Sequence, residues 1–327
     1  MSQGPTIEEI RALRAALADD IVTTPVLRCA ALESLLGGGT RVTAKLEFLQ
    51  RTGTFKARGA LATIRSLAPA QLRVGVTAVS AGNHAIATAF AARALGTTAR
   101  VVMTRSANPA RVAACRAFGG DVIHADDVHE AFALAERIRE EEGRYLVQPF
   151  EGPGIALGTG TLGVEICEQA GDFDCLVVPV GGGGLIAGVA NAVKQLRSDC
   201  EVIGVEPRGA DTMRLSFAAG EPQRIDRVRT IADSLGAPFA MPYSFGLARQ
   251  HVDRLVLVDD DQLRRTMGYL FRAMKIAVEP ACAASTAALL WPLRDALRGK
   301  HVVLLMCGSN IDWGTFSAQA DFNDHIS

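Results

Sequence analysis

The stretch CLVVPVGGGGLIAG, residues 175–188, decides how the rest of the chain is read. Cys175 to Val180 is a short apolar run, the pattern of a strand buried on both faces. Four glycines follow, Gly181 to Gly184, and Leu185 then leads into IAGVANAVKQL, a segment with helical periodicity. Strand, tight turn and helix in immediate succession form one unit of a parallel α/β sheet. A helix N-terminus offers unpaired backbone N–H groups and partial positive charge, and glycines let an anion reach them without side-chain collision. Gly181 to Gly184 therefore read as a phosphate cradle, with a tight structural turn as the competing reading. The run is not G-x-G-x-x-G and lacks the Gly-Lys-Ser/Thr of a P-loop, so neither nucleotide motif is indicated.

The same alternation runs outward in both directions. Apolar runs at 74–80, 99–104, 121–125, 144–149, 201–207, 254–259 and 301–307 are separated by helix-patterned segments. This predicts an α/β fold with mostly parallel sheets. Thr6 and Glu9 predict a capping box, after which Ile10, Leu13, Leu17 and Ile21 keep one helical face apolar. Pro109 suits a helix start and Gly119-Gly120 its end. A chain of 327 residues suits one large α/β domain or two lobes around a cleft. The expected division is a small domain over 57–147 and a large cofactor-binding domain from 1–56 plus 148–327, with 151–163 as the crossing.

Composition narrows the partner. A net charge of -1, with 21% charged residues, supplies no basic field for nucleic acid, so the expected partner is a small molecule. Seven cysteines, scattered and without a C-x-x-C pair, indicate neither a disulfide framework nor a zinc knuckle and suit a reducing cytoplasm. MSQGPTIEEI has two glutamates where a signal peptide would carry basic residues, so none is expected, and no apolar run reaches the roughly 18 residues of a membrane span. A soluble cytoplasmic protein is expected.

GTFKARG, residues 53–59, places Lys56 in a chain that has only five lysines. Most lysines lie on the surface. Here Gly53 and Thr54 shape a turn and Phe55 supplies an apolar neighbour, and burial would lower the amine pKa towards the neutral form that Schiff-base chemistry requires. A buried amine with a phosphate cradle suggests pyridoxal phosphate. A second glycine turn, SAGNH at 80–84, follows VGVTAV and opens another helix.

LQRTGTFKARGA (49–60), SAGNHA (80–85), PVGGGGLIAG (179–188), GVEP (204–207), VEPACAA (278–284) and MCGSN (306–310) occur in order. They resemble the signature blocks of the fold-type II pyridoxal-phosphate enzymes, most closely the threonine/serine dehydratase family, over about residues 20–315. The resemblance implies a tryptophan synthase β-like architecture, two doubly wound lobes with the cofactor in the cleft. It implies that Lys56 bonds pyridoxal 5'-phosphate covalently beside Phe55, and that Asn83 meets the ring hydroxyl. Gly181, Gly182, Gly183, Gly184 and the N–H of Leu185 would hold the phosphate. Cys307 would face the pyridine nitrogen and Glu279 would be a ring-side contact. Ser80, Ala81, Gly82 and His84 would form the substrate-carboxylate loop, and Asp233 and Ser234 a substrate-side loop. Asp233 reads equally as a helix cap, and His84 as a loop-shaping residue rather than a base.

Departures from the family pattern sharpen this. Racemases of the family carry a second serine where this chain has Ala81, which moves no proton. Glu206, Ala210 and Asp211 occupy places that bind a divalent cation in some relatives, but Thr212 stands where another aspartate is expected, so no metal is expected. Arg51 and Thr159 replace the family's frequent proline and glutamine. HADDVH at 124–129 reads as a solvated loop. The implied activity is β-elimination from L-threonine or L-serine, giving a 2-oxo acid and ammonia, by a homodimer. The rivals are 3-hydroxyaspartate dehydration, including a place in hydroxyectoine breakdown, serine racemization, and a non-catalytic pyridoxal-phosphate carrier. No C-terminal regulatory domain, and so no isoleucine inhibition, is expected.

Overall fold

The computed structural model describes residues 3–323 and Ile326. Its strands are β1 (Val26–Arg28), β2 (Arg41–Leu46), β3 (Val76–Val79), β4 (Ala99–Thr104), β5 (Asp121–Ala125), β6 (Tyr145–Leu146), β7 (Cys175–Pro179), β8 (Glu201–Pro207), β9 (Arg254–Val258) and β10 (His301–Met306). They form two sheets. One has the order β1-β2-β10-β7-β8-β9 and is parallel except where β1 meets β2; the other, β5-β4-β3-β6, is parallel throughout.

Eight strands coincide with the predicted apolar runs, and β1 and β2 do not. β1 has three half-buried or exposed residues, and β2, RVTAKL, carries two charges that break its apolar pattern. Lys45 nevertheless lies fully buried, because its amine donates to Glu165 Oε2 at 2.6 Å and to Thr24 O at 2.6 Å. Arg58 joins the same network, reaching Glu47 at 2.8 Å and Glu165 at 2.7 Å. These four buried charges cancel in pairs, which is the condition for keeping ions out of water. They tie β2 and the Lys56–Arg65 helix to the Pro153–Gln169 helix.

The Pro153–Gln169 helix occupies the expected crossing. Its glycines serve close packing rather than turning: a Cβ on Gly158 would lie 2.7 Å from Gly59 Cα, and one on Gly163 would lie 2.8 Å from Ala192 Cβ. The Thr6–Glu9 capping box and the Pro109–Ala117 helix form as their sequence signals predict. Each sheet has its own apolar cluster, and Leu17 and Ile21 bury in that of the four-stranded sheet. No helix among the described residues is long and apolar enough to cross a membrane.

Parallel strands put their carboxyl ends on one edge, where open α/β sheets hold ligands. The chain leaves β3 into Ser80, β6 towards Pro149 and Phe150, β7 into Gly181 and β10 into Cys307. All of these residues border a single cleft.

Candidate active site

That cleft is a cavity of about 430 Å³, and every residue singled out above as a cofactor or substrate contact lies on its wall. The position of Lys56 begins with the turn before it. Gly53 has φ 71°, a left-handed conformation that favours glycine, and its carbonyl accepts from Ser309 N at 3.0 Å. Phe55 N donates to Cys307 O at 3.2 Å. The turn is thus pinned to the end of β10, and Lys56 starts its helix facing the cavity, its amine donating to Pro149 O. Enclosure in the cleft lowers the amine pKa to about 8, with the neighbouring Cys307 and Glu279 opposing the shift.

The glycine turn after β7 caps the Gly184–Leu196 helix. Gly183 has φ 90°, and a Cβ on Gly184 would lie 2.7 Å from Phe150 Cα, while one on Gly182 would run into the Phe150 ring. Only glycine fits these places. The hydroxyl of Thr159 braces the turn from behind, donating to Gly184 O at 3.0 Å. Thr159 therefore supports the cradle and is absent from the cavity wall.

Asn83 is held from three sides. Its amide nitrogen donates to Glu279 at 2.8 and 3.1 Å and to Ser234 at 3.3 Å, and its oxygen accepts from Asn310 Nδ2 at 2.8 Å. Burial lifts the Glu279 carboxyl to about 7, opposed by Arg111 and Asn83. Burial also pushes His84 down to about 3, so its imidazole is neutral, and its Nε2 meets Val147 O at 2.9 Å. A neutral imidazole tied to that carbonyl is consistent with the loop-shaping reading of His84. Cys307, beside Cys282, is a neutral thiol: that neighbour and burial raise its pKa well above the ordinary value. Ser80 Oγ accepts from Gly82 N at 3.1 Å, and Ala81 presents only a methyl group. Asp233 and Ser234 lie exposed at the mouth, where Asp233 opens a single 3-10 turn and pairs with Arg111.

Away from the cleft, both Glu206 oxygens accept backbone N–H groups, from Met213 at 2.7 Å and Arg214 at 2.8 Å, and Asp211 pairs with Arg214. Asp127 of HADDVH caps the following helix, while His124 lies on β5 rather than in the loop.

Arg111, Phe150 and Val128 also line the cavity and were not visible as site residues in the sequence. Arg111 sits in a helix where arginine usually means a solvated face, and Phe150 gains its role only by contact with glycines 32 and 34 positions later. Its place directly after the apolar run 144–149 was the one available signal.

The residues fit pyridoxal phosphate on the structure's own terms: a glycine-only cradle at a helix N-terminus, an enclosed amine and a neutral thiol share one cavity. Comparison with known proteins agrees. The model of the family described as pyridoxal-phosphate dependent enzyme matches residues 17–308. A phenylserine dehydratase from Ralstonia pickettii is 51% identical over 96% of this chain and 95% of its own. An L-threonine ammonia-lyase from Thermotoga maritima is 35% identical over 94% of this chain and 76% of its own. The solved structure of maize serine racemase superposes with a TM-score of 0.91 at 33% identity, covering 97% of each chain. The chain belongs to the pyridoxal-phosphate dependent enzymes of fold type II, in their threonine/serine dehydratase family.

Proposed function

We propose that this enzyme removes the β-hydroxyl of a β-hydroxy amino acid and releases a 2-oxo acid and ammonia. The observation that carries the reading is the enclosed Lys56 amine sharing one cavity with the glycine cradle, while the place for a second acid/base holds Ala81. Pyridoxal phosphate, when bound, supplies an electron-withdrawing ring that acidifies the substrate Cα–H. Gly181 to Gly184 and the N–H of Leu185 would hold its phosphate, Asn83 its hydroxyl edge, and Cys307 its nitrogen. A neutral thiol there would leave that nitrogen unprotonated, which would suit elimination more than chemistry needing a long-lived carbanion. Lys56 Nζ takes the Cα proton as a general base. The β-hydroxyl then departs with the bonding electron pair and takes the proton removed from Cα, leaving as water, and the resulting enamine consumes one water on hydrolysis and frees ammonia. Ala81 holds no proton for the opposite face, so the Cα stereocentre is not rebuilt.

The finer choice of substrate moves from threonine and serine towards a β-aryl compound. Val79, Ala81, Val128, Leu235 and Ala237 give the cavity an apolar wall, and Val128 is 57% exposed at its mouth. The relative that is 51% identical is named for phenylserine. The test is 2-oxo acid release from 3-phenylserine, L-threonine, L-serine and the 3-hydroxyaspartates, with D-serine formation measured alongside. We expect phenylserine to have the highest kcat/KM. Preference for a hydroxyaspartate would move the enzyme to a specialised catabolic step, and D-serine outpacing pyruvate would overturn elimination as the main reaction. We also propose that 57–147 and the remainder work as two lobes, since each sheet has its own core. Exposed Leu49 and Trp313 would supply apolar surface for a homodimer.

A further inference from the structure

The cavity wall carries three basic side chains, Lys56, His84 and Arg111. Lys56 is committed to proton transfer and His84 to the Val147 carbonyl. Arg111 has no such commitment. It reaches in from the Pro109–Ala117 helix with its side chain 13% exposed, and Nε donates to Asn310 O at 3.1 Å. Its Nη1 and Nη2 grip the Asp233 carboxylate, the second at 3.4 Å, and Glu279 stands 3.7 Å away, itself held by Asn83. A carboxylate therefore already occupies the guanidinium, and its owner is 58% exposed.

We propose that Arg111 is a substrate-binding residue that exchanges Asp233 for the substrate α-carboxylate. The receiving space is visible. A Cβ on Gly82 would meet nothing nearer than Arg111 Nη1 at 3.5 Å, so glycine leaves an opening directly beside the guanidinium. Gly82 is also the N-cap of the twelve-residue Asn83–Ala94 helix and makes no side-chain cap, so the positive end of that helix lies at the same glycine. A carboxylate there gains a forked cation and a helix terminus together, whereas Asp233 has only the cation and a 3.4 Å contact from Ser234. Releasing Asp233 to water costs little, because its carboxylate is more than half exposed and such ion pairs are weak. The exchange also frees the Asp233–Leu235 turn from the helix across the cleft, so substrate arrival loosens the mouth it has passed.

This inference rests on the amino-acid reading above, and the experiment separates the two. Using the cofactor-loaded full chain, kcat and KM are measured for the β-hydroxy amino acid that the wild type turns over best and for its methyl ester. Arg111→Met is expected to raise KM for the acid at least about tenfold while leaving KM for the ester within about twofold. Asp233→Asn is expected to lower KM for the acid by about two- to fivefold, because it removes the competing carboxylate. Opposite signs for the two partners of one ion pair are the signature of exchange; a purely structural clasp gives the same sign for both. Equal effects of Arg111→Met on acid and ester, or a KM for Asp233→Asn that does not fall, would overturn the proposal. If Arg111→Met does not fold, Asp233→Asn decides alone on the same criterion. A wild type that turns over no β-hydroxy amino acid would overturn the parent reading, and this one with it.

Discussion

On the proposed reading the chemistry turns on Lys56, and its pKa gives a directly testable pH dependence. Enclosure disfavours the ammonium, bringing the pKa from 10.5 to about 8. The neutral amine is the nucleophile, and its fraction rises with pH. Capture of pyridoxal phosphate by the apoprotein should therefore accelerate about tenfold per pH unit below 8 and level off above it. Stopped-flow absorbance of the lysine-bound cofactor measures this, and a limb that levels only near 10.5 would mean that the amine is not enclosed. The stability linkage runs in the same direction: between about 8 and 10.5 the unfolded chain holds the proton that the folded chain rejects, so apoprotein stability rises with pH across that window. Lys56 was legible because glycine, phenylalanine and a helix start surround it in sequence. Arg111 was not, since nothing local distinguishes it until Asp233, 122 positions on, is brought beside it.

At the scale of elements, two contacts hold the site in shape. The first is the glycine turn against Phe150. Gly182→Ala would push a methyl group into that ring, an overpacking that costs about 1–3 kcal/mol. The turn itself must shift, so affinity for pyridoxal phosphate should fall roughly ten- to a hundredfold in an absorbance titration; unchanged affinity would place the phosphate elsewhere. The second is the buried set Lys45, Glu47, Arg58 and Glu165. Glu165→Ala would leave Lys45 and Arg58 facing a single carboxylate. Breaking a buried pair typically costs about 3–5 kcal/mol, so chemical denaturation should show a loss of that order, and a loss under about 1 kcal/mol would show that water enters the network. The sequence showed the first contact as a glycine run and hid the second. Lys45 in β2 looks solvated until Glu165 arrives from 120 positions away, and Arg41 is exposed, so β2 was missed. In the Pro153–Gln169 helix, within the segment expected as the crossing, the glycines serve backbone approach to neighbouring helices, a demand that only tertiary packing creates.

For the whole molecule, eight of ten strands and the parallel α/β plan follow from alternating apolar runs, because strands buried on both faces leave a continuous apolar trace. The pairing of those strands into two sheets does not follow from periodicity. It depends on β10 entering between β2 and β7, and that insertion sets Cys307 beside the glycine turn. The cavity was readable in part because Ser80, Gly181 and Cys307 follow strand ends; its apolar wall was not, because it is assembled from three separate segments, 79–81, 128 and 235–237. The most direct test of the account is the stoichiometry of 2-oxo acid and ammonia from the cofactor-loaded enzyme on 3-phenylserine and L-threonine, with Lys56→Ala as the control. Equal amounts of both products from the wild type and none from the variant are the predicted result. Turnover by Lys56→Ala at the wild-type rate, or consumption of substrate without ammonia, would contradict it.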